Sequence, residues 1–173
     1  MTHDLYVEKI AYTSRNMLID AKVIPNEPIK YEKAILTEIV KFFGGELEIV
    51  SGQTEEHGDY IKKVDSKNAF LIHLNQEGTS RSIPIRVFHE LGHAFLDIPE
   101  MEINEMRFYD GNKRSDIQAE LFMRSFIMPV DGFENIAKKC IKDGKFDVKK
   151  IADQYHVDYI DAMVRGKELN YWE

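Results

Sequence analysis

The sequence predicts an α+β fold: a small three-stranded sheet, a central helix carrying His89-Glu90-Leu91-Gly92-His93, and a helical segment at the C-terminal end. Three observations predict it. Apolar residues recur at helical spacing before residue 44 and again after residue 82. Between these stretches the period changes to alternation, at Leu47 and Ile49 and at Phe70, Ile72 and Leu74, as in a half-buried strand. Finally, H-E-x-x-H has apolar residues on both sides, which implies a buried helix.

The first helix runs from Leu5 to Ala21, with Val7, Ile10, Ala11, Met17, Leu18 and Ala21 at its period; Pro25 and Pro28 break it. A second is predicted from about Pro28 to Phe43. Leu36, Ile39, Val40 and Phe43 mark its buried side, and Gly44-Gly45 ends it. Leu47–Ile49, Tyr60–Val64 and Phe70–Leu74 are the strands, in an antiparallel or mixed sheet, with a polar turn from Ser51 to Asp59. For the central helix, Ser80 or Ser82 is the cap and Pro84 fits only a first turn. Val87, Phe88, Leu91, Ala94, Phe95 and Ile98 form its apolar stripe, and Pro99 stops it. Glu100 to Lys113 reads as a long charged surface loop. Ser115 with Gln118 is a capping-box pattern opening a helix to Met128. Asp131 with Glu134 opens another, to Asp143, with Gly144 behind it. Two short helices follow, around Val148–Tyr155 and Ile160–Val164, with a tight turn near Val157-Asp158. Residues 1–130 read as the main unit and 131–173 as a helical segment packed on it.

The chain has 173 residues and a formal net charge of −7. That length suits one domain, or one with a small appendage. The negative charge argues against a broad nucleic-acid footprint. The single cysteine, Cys140, falls with Ile136 and Ile141 on a predicted helix and reads as a small core residue. One cysteine forms no disulfide framework, which fits a reducing cytosol. Met1-Thr2-His3-Asp4 lacks a basic region followed by an apolar run, and no stretch has the length of a membrane span. A cytoplasmic protein is expected.

Residues four apart on a helix share a face, so His89 and His93 can both reach one metal ion. Glu90, beside the first histidine, can take a proton from water without binding the ion. The bland alternative is a surface helix that happens to carry two histidines. The apolar flanks speak against it, since two histidines and a glutamate are costly to bury without a shared partner. A catalytic zinc takes three protein ligands. The third is sought in Asp116-Ile117-Gln118-Ala119-Glu120, where Asp116 and Glu120 stand one turn apart on one helix face. Their ordinary readings are a first-turn acid favoured by the helix dipole and a solvated helix residue, respectively.

H-E-L-G-H, followed some two dozen residues later by an acidic-x-x-A-acidic segment running into Phe122 and Phe126-Ile127-Met128-Pro129, resembles the ImmA/IrrE family of zinc-dependent, zincin-like metallopeptidases. Members typically show H-E-L-G-H, then E-x-x-A-N/D-x-F-A-x-x-L-L-M-P. The likeness extends from about Phe70 to Leu169 and includes the strand Ile72-His73-Leu74-Asn75. It implies Asp116 as the third ligand and puts Glu120 at the Asn/Asp position one turn later. Two departures follow. Aspartate is one methylene shorter than the usual glutamate, so the two helices must approach closely. Glu120 is longer and more basic than asparagine, so it can either compete for the ion or orient a histidine from behind.

The resemblance further implies Zn²⁺ as cofactor, with Mn²⁺ or Fe²⁺ suited to the same nitrogen and oxygen ligands. It implies a cytoplasmic site-specific endopeptidase acting on a protein substrate, a helix-turn-helix transcriptional repressor, in bacteria, phages and mobile elements. The alternative is a zincin-like module that binds a regulator without cutting it, or binds DNA through its last helices. An intact Glu90 favours the enzyme. The last helices only loosely resemble a helix-turn-helix. His156 stands at the usual turn glycine, and Asp158 and Asp161 near the next helix start would repel phosphate, so direct nucleic-acid binding is not expected. His3, His57, His73 and His156 read as structural or solvated. One of them, or Tyr60 or Tyr109, is a candidate to stabilise an oxyanion.

Overall fold

The computed structural model describes residues 3–52, 58–77, 79–110 and 113–172. His57 and the side chain of His3 lie outside the described residues. Among the described residues seven α-helices accompany a four-stranded mixed sheet, so the α+β expectation holds. Helix α1 (His3–Asp20) buries Val7, Ala11 and Leu18 against α4 (Arg114–Ile127), while Met17 faces outward. Helix α2 is Lys33–Phe42, shorter than expected at its start. Residues 28–32 are not helical; there the buried Tyr31 hydroxyl accepts a hydrogen bond from Arg15 (3.0 Å).

Strand β1 (Gly45–Val50) pairs in parallel with β3 (Phe70–Asn75). β3 pairs antiparallel with β2 (Tyr60–Lys63), and β2 with β4 (Met106–Phe108). β4 is the correction to the three-strand reading: it forms inside the stretch expected to be loop. Three residues are too few to show a period, and pairing with β2 makes them a strand. Ile61, Ile72 and Leu74 point to the core, whereas His73 and Tyr60 stack on the other face, 4.6 Å between ring centroids.

Helix α3 (Ile83–Leu96) is the centre of the molecule. Ser82 stands at its N-cap, without a side-chain capping bond, and Pro84 lies in its first turn. Every residue from Ile85 to His93 is buried. Its closest neighbour is α4, and the contact is tight because Gly92 faces Ala119. A methyl carbon added at Gly92 would fall 2.9 Å from Ala119 Cα. The close helix approach that the short Asp116 side chain demands is therefore present.

The expected capping boxes do not form. Lys113, not Ser115, is the N-cap of α4, and Pro129, not Asp131, that of α5 (Val130–Lys139). Asp116 and Asp131 sit inside first turns, where the helix dipole favours acids without a capping bond. α5 also ends earlier than expected. Asp143 and Gly144, both with positive φ, make the two-residue turn of a hairpin between β5 (Ile141–Lys142) and β6 (Lys145–Phe146). Cys140 is buried as expected, but at the end of the helix, and Ile141 is an exposed strand residue. Helices α6 (Val148–Tyr155) and α7 (Tyr159–Glu168) follow. His156 between them takes the left-handed conformation usual for glycine, φ 55°. Arg165 of α7 is fully buried and donates to the Met128 carbonyl and to Glu8 of α1. Asp161 lies in the first turn of α7. It is buried and turned inward rather than offered to solvent.

Candidate metal centre

α3 places His89 and His93 one turn apart, and α4 brings Asp116 against them. The Nε2 atoms of the two histidines are 3.1 Å apart. Asp116 Oδ1 lies 3.2 Å from Nε2 of His93 and 3.5 Å from Nε2 of His89. All three residues are buried. A tetrahedral ion with bonds of about 2.0–2.2 Å separates its ligand atoms by about 3.3–3.6 Å. The triangle's edges, 3.1 to 3.5 Å, lie at or just below that spacing, and the donors are the imidazole nitrogens and carboxylate oxygen that zinc accepts.

Each histidine is braced by a carboxylate on its other ring nitrogen. His93 Nδ1 is 2.5 Å from Asp97 Oδ2, and Arg107 of β4 reaches Asp97 Oδ1 at 3.3 Å. His89 Nδ1 is 3.0 Å from Glu120 Oε1, a charge contact without the alignment of a hydrogen bond. Such contacts favour the proton on Nδ1 and leave Nε2 free to bind a cation. Glu120 therefore stands behind His89, outside the triangle. Arg81 grips both its oxygens, at 2.5 and 3.1 Å, and Arg124 adds a third contact at 3.1 Å. Asp116 has its own anchor, since the backbone N–H of Asp110 donates to its Oδ2 (3.2 Å).

The electrostatics favour a positive charge here. Burial alone would depress the His89 pKa, but hydrogen bonding to Asp116 and Glu120 outweighs it and holds the ring at about 9. Burial would likewise raise the acids. Contact with His89, and with His93 for Asp116 and Arg81 for Glu120, instead lowers Asp116 below its usual range and Glu120 to about 2. Glu90 behaves oppositely: burial dominates and raises it to about 7, against the lowering influence of the two histidines.

Glu90 and His89 line a cavity of about 350 Å³ with Asp59, Arg81, Arg86, Phe108 and Tyr109. Its wall is fixed by Arg86, which holds both oxygens of Asp59 and the Asn75 carbonyl. A second cleft opens on the His93 and Asp116 side and shares Phe108 and Tyr109. The end of edge strand β4 thus passes between the two openings. Tyr109 rests edge-on against His89, 5.3 Å between ring centroids. Tyr60 and His73 pair with each other on the outer face of the sheet, and His156 is in the α6–α7 turn; neither group adjoins the triangle.

A model of the M78 peptidase family, described as the IrrE N-terminal-like domain, matches residues 49–163, about two thirds of the chain. The chain belongs to this family. No curated protein matches it. Membership supports a metallopeptidase type of function and hence a protein substrate. Among the described residues no helix is long and apolar enough to cross a membrane. Sequence reading did not single out Asp97, Arg81, Arg107 or Arg124. Of these Asp97 and Arg124 carry a local signal, being four residues beyond His93 and Glu120 on the same helix faces.

Proposed function

We propose that this chain is a metal-dependent endopeptidase, with the ion held by His89, His93 and Asp116 and with Glu90 as general base. The observation that carries the reading is the buried triangle of donor atoms with a raised carboxylic acid beside it. The ion, Zn²⁺ or else Mn²⁺ or Fe²⁺, would supply Lewis acidity toward water and the scissile carbonyl. Asp97 and Glu120 hold the imidazoles in the tautomer that presents Nε2. Glu90, with a pKa near neutrality, accepts the proton of the attacking water and returns it to the leaving amine. The peptide lies extended along β4, whose backbone gives affinity while the two flanking clefts select side chains. Of the two phenols, Tyr109 is the one poised to donate to the developing oxyanion, so Tyr109→Phe should lower turnover and leave metal content unchanged.

Family resemblance makes a helix-turn-helix transcriptional repressor the proposed substrate. The test is incubation of candidate repressors with the zinc-loaded protein, with and without chelator. Fragments that chelator abolishes and that Glu90→Gln fails to produce support the reading. A stable, uncut complex would replace it with the binding-module alternative.

A further inference from the structure

α7 contributes two carboxylates to the surroundings of Glu120. Asp161 Oδ1 lies 3.4 Å from Arg81. Glu168 accepts from Arg124 at 2.7 and 2.9 Å. These are the two arginines that grip Glu120, so both halves of the clamp lean on the C-terminal helix. Asp161 is 3 % exposed, and its Oδ2 is buried without a hydrogen-bond partner. A carboxylate so placed is expensive unless its charge serves a neighbour, and the neighbour in contact is Arg81.

The need for a clamp follows from Glu120 itself. It has three rotatable side-chain bonds and a full negative charge, and its Oε1 is only 3.0 Å from His89 Nδ1. Unrestrained, it could swing toward the ion and compete for it instead of bracing His89. A forked contact from Arg81 fixes both oxygens at once, which a single ammonium could not do.

We propose that Arg81 and Asp161 are positioning residues of the metal centre, and that through them α7 sets how His89 presents itself to the ion. The inference rests on the proposed metal site. It makes the C-terminal helix part of the working centre.

The experiment uses the full chain, stripped of metal and titrated with Co²⁺ and Zn²⁺ against a chromophoric chelator. Wild type should bind one ion, with the strong visible absorption of four-coordinate Co²⁺. Arg81→Gln should weaken binding by about 10- to 100-fold and dim that absorption as Glu120 enters the coordination sphere. Asp161→Asn should shift both in the same direction by about 3- to 10-fold, a fraction of that range. Lys167→Gln, an exposed change on the same helix, should match wild type. The decisive variant is Arg81→Gln combined with Glu120→Gln. If Arg81 acts through Glu120, the double variant regains the wild-type absorption, and the two affinity losses do not add. Additive losses, or wild-type binding and spectra in both Arg81→Gln and Asp161→Asn, overturn the proposal. Should Arg81→Gln lose its fold by circular dichroism, Asp161→Asn decides alone. Wild type that binds no ion at all refutes the metal site itself, and the inference with it.

Discussion

His93 and His89 stand one turn apart, yet different parts of the chain support them. His93 leans on Asp97, four residues on in the same helix, with Arg107 of the neighbouring edge strand behind it. His89 leans on Glu120 of α4, which is gripped by Arg81 and Arg124, which in turn meet Asp161 and Glu168 of α7. The first brace comes with helix geometry. The second exists only when three separate stretches pack together. Disturbing the C-terminal helix should therefore reach His89 and spare His93.

The largest effect removes chemistry and leaves both braces intact: Glu90→Gln should keep its metal and lose turnover by about 10²- to 10⁴-fold. Metal analysis beside a cleavage assay checks it, and wild-type cleavage would refute the mechanism. Next come the braces themselves. Asp97→Asn and Glu120→Gln should each weaken metal binding by about 10- to 100-fold. Their asymmetry appears in combination with Asp161→Asn. That change should couple to Glu120→Gln and simply add to Asp97→Asn in a double-mutant cycle. Equal coupling to both would erase the distinction drawn between the histidines.

A smaller effect tests the α3–α4 contact on which the brace of His89 depends. Gly92→Ala puts a methyl group against the Ala119 backbone and should cost about 1–3 kcal/mol of stability, read from urea midpoints of the metal-free protein. An unchanged midpoint would mean that α3 and α4 can separate freely.

The smallest is a pH effect at Asp161. Burial raises its pKa from 3.8 to about 6, partly offset by Arg81. Between those values the folded chain holds a proton that the unfolded chain has released, so this group's contribution to stability falls as pH rises from about 4 to 6. Glu120, lowered to about 2, acts below that window, since its stabilisation is lost only as pH falls from 4.5 toward 2. Asp161→Asn should therefore flatten the decline of Tm between pH 4 and 6 relative to wild type. Parallel curves would place Asp161 in a more solvated setting than its burial implies.

The lesson for sequence reading follows the same division. His89, Glu90 and His93 are legible because a helical period is local, and apolar flanks reveal that the helix is buried. Asp116 and Glu120 are legible as a pair one turn apart, and their likeness to a family motif separates their roles. Arg81, Arg107 and Asp161 are not legible. An arginine ahead of a helix, one in a three-residue strand and an aspartate in a first turn all have ordinary readings in isolation.

The sequence by itself determined the long helices and the first three strands, that one helix is buried through its middle, and that two imidazoles and a carboxylate share it. Each of these depends on neighbours within a few residues. Tertiary structure alone decided that Met106–Phe108 becomes the sheet's edge and that α7 supports the clamp on Glu120. Such contacts join residues up to 80 positions apart, as Arg81 and Asp161 are. Their energy depends on burial and on which charges meet, and neither is defined until the whole chain has packed.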